Sequence, residues 1–198
     1  LGSGMITGLI IGLFAQHFPG FEHRPQQVSM ATAVADAFNQ KQHLFVEAGT
    51  GTGKSIAYLV PAFQWAEQNQ QRVVISTNTL NLQDQLILKD VPDLNQALSK
   101  DYQAAVLKGR GNYLCPRRFN ALRSLGPRNP EEMRVLAKLL LWLAQGGSGE
   151  RSQLNLPMGE MAVWSRLSAE DEDCSLEVCA SHAGGRCSYY QARLAADS

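Results

Sequence analysis

Residues 48–55 read Ala-Gly-Thr-Gly-Thr-Gly-Lys-Ser, which is the spacing of a phosphate-binding loop with alanine at its first position. Small residues allow successive backbone N–H groups to close around phosphate oxygens, and a helix that begins near Gly53 adds its positive N-terminal end. In this pattern the Lys54 ammonium reaches the β- and γ-phosphates and the Ser55 hydroxyl ligates Mg²⁺. We predict a nucleoside triphosphate site made of Ala48, Gly49, Thr50, Gly51, Thr52, Gly53, Lys54 and Ser55. The alternative is a glycine-rich turn that binds no ligand.

The four cysteines are a second set of residues that could do chemistry. Cys115, Cys174, Cys179 and Cys187 are separated by 58, 4 and 7 residues. Four thiolates are the number that holds a [4Fe–4S] cluster or a tetrahedral zinc ion, and His182 could replace one of them on zinc. A reducing compartment is the default without an export signal, which disfavours disulfides. Iron–sulfur, zinc and a set of unrelated cysteines therefore stay open at this point.

Charge is balanced over the chain, with 18 basic and 18 acidic residues, but it is unevenly distributed. Residues 108–134 contain seven Lys or Arg against two Glu, whereas residues 150–177 have a net charge of −5. A basic stretch is typical of a surface that tracks nucleic-acid phosphates, although a solvated basic face is the ordinary alternative. Tyr113 lies in this stretch and could stack on a base. We predict that a nucleic acid would lie nearer Cys115 than the acidic segment.

The elements that must position these residues alternate between strands and helices in the first half. We predict strands at residues 43–47, 72–76 and 103–107. A helix should follow the first strand from Gly53 to about Glu67, kinked at Pro61, and another should run from a cap at Asn78 or Thr79 to about Leu88. This alternation predicts an α/β fold with a parallel sheet covered by helices on both faces.

The second half is predicted to be mostly helical. Asn129-Pro130-Glu131-Glu132 is a strong helix start, and the helix places Met133, Leu136, Leu140 and Leu143 on one face before Gly146-Gly147 ends it. Shorter helices are expected at Gly159–Leu167 and Tyr189–Ala196. The segments Arg110–Arg118 and Glu170–Asp173 are interpreted as loops.

Length and composition set broader limits. The chain has 198 residues, 44% of them hydrophobic, which fits one globular domain or a domain with an insertion and excludes wholesale disorder. No apolar run reaches the roughly 18 residues of a membrane span, so we expect no membrane partner. The segment Ile6–Phe14 lacks the flanks of a signal peptide, so we predict a buried helix or strand there and a cytoplasmic location.

Two segments around the phosphate loop resemble motifs of superfamily 2 helicases. Ser76-Thr77-Asn78-Thr79-Leu80, with Leu82-Gln83-Asp84-Gln85-Leu86, is similar to motif Ia, which implies that Thr77, Asn78 and Gln83 contact a DNA backbone. Arg24-Pro25-Gln26-Gln27 resembles the adenine-recognising segment, which implies that Arg24 and Gln27 select ATP. Helix capping and an exposed turn are the ordinary alternatives for these two segments.

The cysteines make the resemblance more specific. Lys108-Gly109-Arg110-Gly111-Asn112-Tyr113-Leu114-Cys115 resembles the first-cysteine segment of iron–sulfur helicases, and the last three cysteines before Tyr189-Tyr190-Gln191-Ala192-Arg193 resemble the DinG and YoaA branch of the XPD-like family. This resemblance implies a [4Fe–4S] cluster on the four cysteines and DNA contacts from Arg110, Tyr113 and Arg117. It also implies a monomeric, ATP- and Mg²⁺-dependent 5′-to-3′ helicase that acts on single-stranded or forked DNA in repair or replication.

The resemblance implies a domain order as well. Residues 1–108 would be the N-terminal part of a RecA-like motor domain, residues 109–188 an iron–sulfur insertion, and residues 189–198 a helix returning to the motor domain. The second acidic motif needed to position the attacking water is not found at the end of a buried strand. We therefore expect an N-terminal fragment that is inactive alone. The alternatives are a zinc-stabilised, nucleotide-dependent nucleic-acid-binding module without helicase activity, and a P-loop kinase or transferase, which the cysteines disfavour.

Overall fold

The computed structural model describes residues 2–17, 22–170, 174–175, 177–179 and 187–197. It divides the chain into two compact units, Leu1–Ala104 and Ala105–Ser198. The predicted domain boundaries, after residue 108 and after residue 188, remain predictions. Within the described ranges, none of the helices has the length and apolar character needed to cross a membrane.

The first unit is a layer of packed helices. They are α1 (Ser3–Gly8), a π-helical stretch (Leu9–Leu13), α2 (Phe14–His17), α3 (Pro25–Gln40), α4 (Lys54–Asn69), α5 (Leu80–Gln85), a second π-helical stretch (Leu86–Asp90) and α6 (Val91–Leu98). Ile6 and Ile10 are fully buried in the core, in agreement with the buried helix or strand predicted for this segment. Small side chains at Ala31 of α3 and Ala57 of α4 are also fully buried, which allows these two helices to pack closely.

The helix starts in this unit follow local sequence signals. Pro25 occupies the first turn of α3, where its missing N–H costs nothing. Thr79 caps α5 by accepting a hydrogen bond from Leu82 N at 3.3 Å, as predicted. The predicted end at Leu88 is wrong, because a π-helical stretch continues into α6 up to Leu98. Helix α4 runs uninterrupted through the buried Pro61.

The predicted parallel sheet is not found among the residues that the structure describes. Residues 43–47, 72–76 and 103–107 follow the helices in the expected order but have no regular secondary structure. Phe45 and Val74 are 97% and 90% exposed, although strands of a parallel sheet are buried on both faces. A strand is stable only when neighbouring strands accept and donate its ladder hydrogen bonds, and these segments have no such neighbours in the described part of the chain.

The second unit has its own helical core. Its elements are a 3₁₀ turn (Arg110–Asn112), α7 (Pro116–Leu125), α8 (Pro130–Ala144), a second 3₁₀ turn (Arg151–Gln153), α9 (Met158–Leu167) and α10 (Ser188–Asp197). Helix α8 begins as predicted, since Asn129 Oδ1 accepts a hydrogen bond from Glu132 N at 2.8 Å. Helix α7 contradicts the loop predicted for Arg110–Arg118. Pro116 starts this helix instead of preventing it.

The buried face of α8 agrees only in part with the predicted one. Leu136 is buried and Leu143 packs against the same core as predicted, but Met133 and Leu140 are 56% and 43% exposed, and Val135 and Leu139 are buried instead. Helix α8 is apolar on two faces, so periodicity alone could not select the face that packs. The orientation is supported by ion pairs of two buried carboxylates, Glu132 with Arg166 at 2.8 Å and Glu160 with Lys138 at 2.6 Å.

Candidate nucleotide site and cysteine cluster

The phosphate loop lies directly before α4 and has the backbone geometry that its glycines allow. Gly51 and Gly53 both have φ of 77°, in the left-handed region that side chains disfavour, and Gly53 is the N-cap of α4. Lys54 Nζ donates hydrogen bonds to Ala48 O at 2.8 Å and Gly49 O at 3.1 Å. The loop is therefore closed by its own lysine, with the N-terminal end of a 16-residue helix behind it.

Two residues at the start of α3 contact this loop. Gln27 is buried and donates from Nε2 to Gly53 O at 3.1 Å, while Arg24 Nη1 donates to Gly51 O. A Cβ atom on Gly53 would lie 2.2 Å from Gln27 Nε2, and the positive φ of this residue disfavours any side chain here as well. The structure thus places Arg24 and Gln27 at the phosphate loop. Their contact with adenine remains a prediction.

Sequence reasoning did not single out Tyr58, which lies one turn after Ser55 on α4. Burial raises the pKa of Tyr58, the neighbouring Ser55 side chain opposes this rise, and the negative charge of Asp90 adds to it. Asp90 is itself buried and accepts a hydrogen bond from Gln85 Nε2 at 3.2 Å. The signal available in the sequence was the i, i+3 spacing of Ser55 and Tyr58.

The residues predicted to contact DNA in the first unit lie around the start of α5. Asn78 is exposed, and Gln83 is partly exposed on the helix. Thr77 Oγ1 donates to Thr79 O at 3.2 Å, so this hydroxyl stabilises the turn that leads into α5. The structure brings the three residues to one short segment that is open to solvent.

The four cysteines, far apart in sequence, share one buried cluster in the second unit. Cys115, Cys179 and Cys187 are buried with Tyr113, Ala169 and Tyr189, and Cys174 packs against them. Two isolated antiparallel bridges, Tyr113 with Glu150 and Leu114 with Ser168, place residues 150 and 168 beside the segment that ends at Cys115. Cys115 N then donates to Leu167 O at 2.8 Å. The cluster is therefore assembled by contacts between distant segments.

The thiols of this cluster are close enough to affect one another. Burial raises the pKa of Cys179 to about 12, and the neighbouring Cys187 and Cys174 sulfurs contribute by charge and hydrogen bonding. All four cysteines are free thiols. Among the residues that the structure describes, no group of three or more His, Cys, Asp or Glu side chains is arranged to hold a metal ion. The predicted alternative ligand His182 and the acidic residues 171–173 lie outside the described residues.

The basic residues near Cys115 do not form one continuous surface. Lys108 is 4% exposed and pairs with Glu150. The Arg110 guanidinium lies 5.1 Å from the centre of the Tyr189 ring, and hydrogen bonding to Tyr189 raises the pKa of Arg110. Arg117 is partly exposed on α7.

Tyr113 is placed differently from the prediction. Its ring is 3% exposed and packs edge-on to Tyr189, with 5.7 Å between the ring centroids. Its hydroxyl accepts a hydrogen bond from Lys108 N at 2.9 Å. A ring enclosed in this way has no free face for a base, so Tyr113 is part of the wall of the cysteine cluster.

Comparisons with known proteins agree with the phosphate-loop geometry. The sequence profile of the DEAD/DEAH box helicases matches residues 24–110. The chain is 38% identical over 154 residues to the 3′-5′ exonuclease DinG of Bacillus subtilis, covering 78% of this chain and 16% of that protein. It is 36% identical over 171 residues to the ATP-dependent DNA helicase YoaA of Escherichia coli, covering 85% and 26%.

A third relative extends this similarity over more of the chain. The ATP-dependent helicase DinG of Mycobacterium tuberculosis is 38% identical over 195 residues, covering 89% of this chain and 29% of that protein. The chain thus spans less than a third of the length of each of these three relatives.

Proposed function

Because the chain is homologous to ATP-dependent helicases of the DinG and YoaA type, we propose that it is the part of such a helicase that binds ATP–Mg²⁺ and single-stranded DNA. The DEAD/DEAH helicase family implies a RecA-like fold for the first unit. The observation that carries the proposal is the phosphate loop at the N-terminus of α4, contacted from α3 by Arg24 and Gln27.

Each residue of the loop has a defined role in this proposal. Backbone N–H groups of residues 49–54 surround the phosphates, Lys54 exchanges its carbonyl partners for β- and γ-phosphate oxygens, and Ser55 ligates Mg²⁺. Gln27 offers one amide donor and one acceptor to adenine, and Arg24 lies beside it. The complete protein would couple ATP hydrolysis to 5′-to-3′ movement on single-stranded or forked DNA, as a cytoplasmic monomer in repair or replication.

Nucleotide binding by the chain tests this proposal directly. We expect a fluorescent ATP analogue to bind in the presence of Mg²⁺ and the Lys54→Ala variant to bind at least about tenfold more weakly, because one charge-assisted contact contributes roughly 1.5 kcal/mol or more. Lys89→Ala is the matched control, since Lys89 is an exposed lysine of the same unit. Equal binding by wild type and Lys54→Ala would contradict the assignment.

The cysteines are proposed to hold a [4Fe–4S] cluster, and their donor chemistry supports this. Four cysteines share one buried cluster, and thiolates are the ligands of such clusters, although the described side chains are not arranged around a metal position. Bound iron–sulfur would supply a structural crosslink between Cys115 and the segment after Cys174. Since the Cys179 thiol has a raised pKa, binding must release its proton and should weaken in acid.

Metal analysis after anaerobic purification separates the alternatives for this cluster. We expect about four irons and four acid-labile sulfides per chain, with visible absorption from the cluster. One tightly bound zinc ion without iron would instead favour the zinc-stabilised nucleic-acid-binding module. Neither metal would leave the nucleotide site as the only supported function.

DNA contacts are proposed for Thr77, Asn78 and Gln83 in the first unit and for Arg110 and Arg117 in the second. Affinity for single-stranded DNA should fall with salt, and Arg117→Ala should reduce the log–log slope by about 0.7 if that guanidinium neutralises one phosphate. Arg134→Ala is the control, because Arg134 is already paired with Glu131 at 2.6 Å. An unchanged slope for Arg117→Ala would remove this residue from the interface.

A further inference from the structure

We propose that Thr52 is a positioning residue of the phosphate loop, whose hydroxyl holds the Gly49 carbonyl in place when Lys54 moves to the phosphates. The Thr52 hydroxyl donates a hydrogen bond to Gly49 O at 3.0 Å. The inference rests on the proposed ATP–Mg²⁺ site and deepens it, because the backbone N–H of Thr52 is the only group of this residue used so far. It assigns a separate role to the side chain.

Side-chain donors hold the backbone carbonyl groups of the loop. Gly51 O accepts from Arg24, Gly53 O accepts from Gln27, and Ala48 O and Gly49 O accept from Lys54. A carbonyl oxygen is the negative end of the peptide dipole, so a carbonyl group that turned toward a phosphate would repel it. Carbonyl groups that are held by donors leave the N–H groups of the loop to face the phosphates.

Gly49 O differs from these other carbonyl oxygens because it accepts two side-chain hydrogen bonds. Its donors are Thr52 Oγ1 at 3.0 Å and Lys54 Nζ at 3.1 Å. In the proposed site the Lys54 ammonium bonds to phosphate oxygens and must give up this contact. The Thr52 hydroxyl can keep its own contact, so Gly49 O retains a donor in the nucleotide-bound loop.

The backbone on both sides of Thr52 explains why such a contact matters. Gly51 and Gly53 flank this residue, and both have φ of 77°. Glycine has more conformational freedom than any other residue, so these two positions alone do not restrict the loop to one shape. The β-branched threonine side chain has few χ1 orientations. A hydrogen bond from its hydroxyl therefore restrains the loop where the backbone is otherwise least restricted.

The test is a titration of a fluorescent ATP analogue in the presence of Mg²⁺. Valine has the shape and branching of threonine but cannot donate, so we expect Thr52→Val to bind about three- to tenfold more weakly than wild type. Thr52→Ser restores the donor and should bind within about twofold of wild type. Thr32→Val is the matched control, because it makes the same change at a partly exposed residue of α3 outside the loop.

A double variant separates positioning from a direct contact between the hydroxyl and a phosphate. If Thr52 holds the carbonyl that Lys54 releases, its hydroxyl matters most when the lysine is present. We therefore expect Thr52→Val to weaken binding by less than about twofold in the Lys54→Ala protein. A direct contact would instead give the same loss with and without the lysine.

Three results would overturn the inference alone, with wild-type binding still supporting the proposed function. The first is an unchanged affinity of Thr52→Val. The second is equal weakening by Thr52→Ser and Thr52→Val, because the hydroxyl would then not be the group that matters. The third is a loss in the Lys54→Ala protein as large as in wild type, including loss of measurable binding. Failure of wild type to bind the nucleotide would overturn both the inference and the proposed function.

Discussion

The nucleotide site and the cysteine cluster are built in opposite ways. The proposed nucleotide site uses eight consecutive residues, mostly through backbone groups, and is contacted by two side chains at the start of α3. The second collects side chains from positions 115, 174, 179 and 187 and depends on bridges between segments that are distant in sequence. A site formed by one short segment should tolerate substitutions elsewhere in the chain. A site assembled from distant segments should lose its ligand when any one of those segments is displaced.

The largest effect is expected from Cys187→Ser in the second unit. Cys187 is 1% exposed and lies within the cluster, so loss of its thiolate should reduce bound iron from about four per chain to near zero. The helix α10 that follows should become susceptible to proteolysis. Nucleotide affinity should stay within about twofold, because the two sites share no residue.

Iron content and limited proteolysis provide the measurement, with Ser165→Ala on α9 as the control. Retention of the full iron content by Cys187→Ser would exclude this cysteine as a ligand. A parallel loss of nucleotide affinity would show that the two sites are not independent.

Gly53→Ala should give the next largest effect, this time in the first unit. Alanine at φ of 77° costs about 1–2 kcal/mol, and its Cβ would lie 2.2 Å from Gln27 Nε2. We expect a lower thermal midpoint and a loss of at least about tenfold in nucleotide affinity, with metal content unchanged. Adding Gln27→Ala should recover part of the stability, because it removes the clash but not the backbone strain.

This double variant separates the two causes. If Gly53→Ala and the double variant have the same midpoint, the contact with Gln27 contributes nothing, and the backbone conformation explains the whole loss.

A smaller effect is expected from removing helix caps, one in each unit. Asn129→Ala should destabilise the second unit by about 1 kcal/mol, because Glu132 N loses its partner at 2.8 Å. Thr79→Ala should cost less, since its hydrogen bond to Leu82 N is longer, at 3.3 Å. Urea denaturation followed by a probe in each unit measures both. Equal losses of unfolding free energy in the two variants would show that hydrogen-bond length does not determine how much each cap contributes to stability.

The smallest effect is a difference in acid sensitivity. The N–H of Arg128 and the Arg166 guanidinium lower the pKa of Glu132 below its usual 4.5. A carboxyl group with a lowered folded-state pKa contributes stability above its unfolded pKa and loses it as the pH falls through the folded value. The second unit should therefore lose stability below about pH 4.5, and Glu132→Gln should flatten that part of the profile. A profile that is unchanged in Glu132→Gln would assign the acid sensitivity to other groups.

The sequence predicts best what is decided locally. The phosphate loop, the start of α8 at Asn129 and the extent of α9 follow from caps, glycines and periodicity within a few residues. The strands at 43–47 and 72–76 could not be predicted in the same way, because a strand forms only with partners that its own sequence does not contain. The segment that became α7 was mistaken for a loop because Pro116 starts a helix as readily as it ends one.

The same distinction applies to the candidate sites. The presence of four cysteines predicted a common cluster. It did not predict the bridges of Tyr113 and Leu114, which connect the segment before Cys115 to distant residues. Tyr113 was predicted to stack on a base because it lies in a basic stretch, whereas its burial involves contact with Tyr189, which is distant in sequence.

The hydrogen bonds of Lys54 within its own loop have a consequence for ligand discrimination. The Lys54 ammonium donates hydrogen bonds to the carbonyl oxygens of Ala48 and Gly49. A ligand that bonds to the Lys54 ammonium must replace these carbonyl oxygens. The binding free energy it gains at this contact is the difference between its own interaction with the ammonium and that of the carbonyl groups. A polyphosphate offers full negative charge and gains by the exchange. A bare nucleoside offers none, so at the proposed site we expect the exchange at Lys54 to favour ligands that carry phosphates over those that carry the base alone.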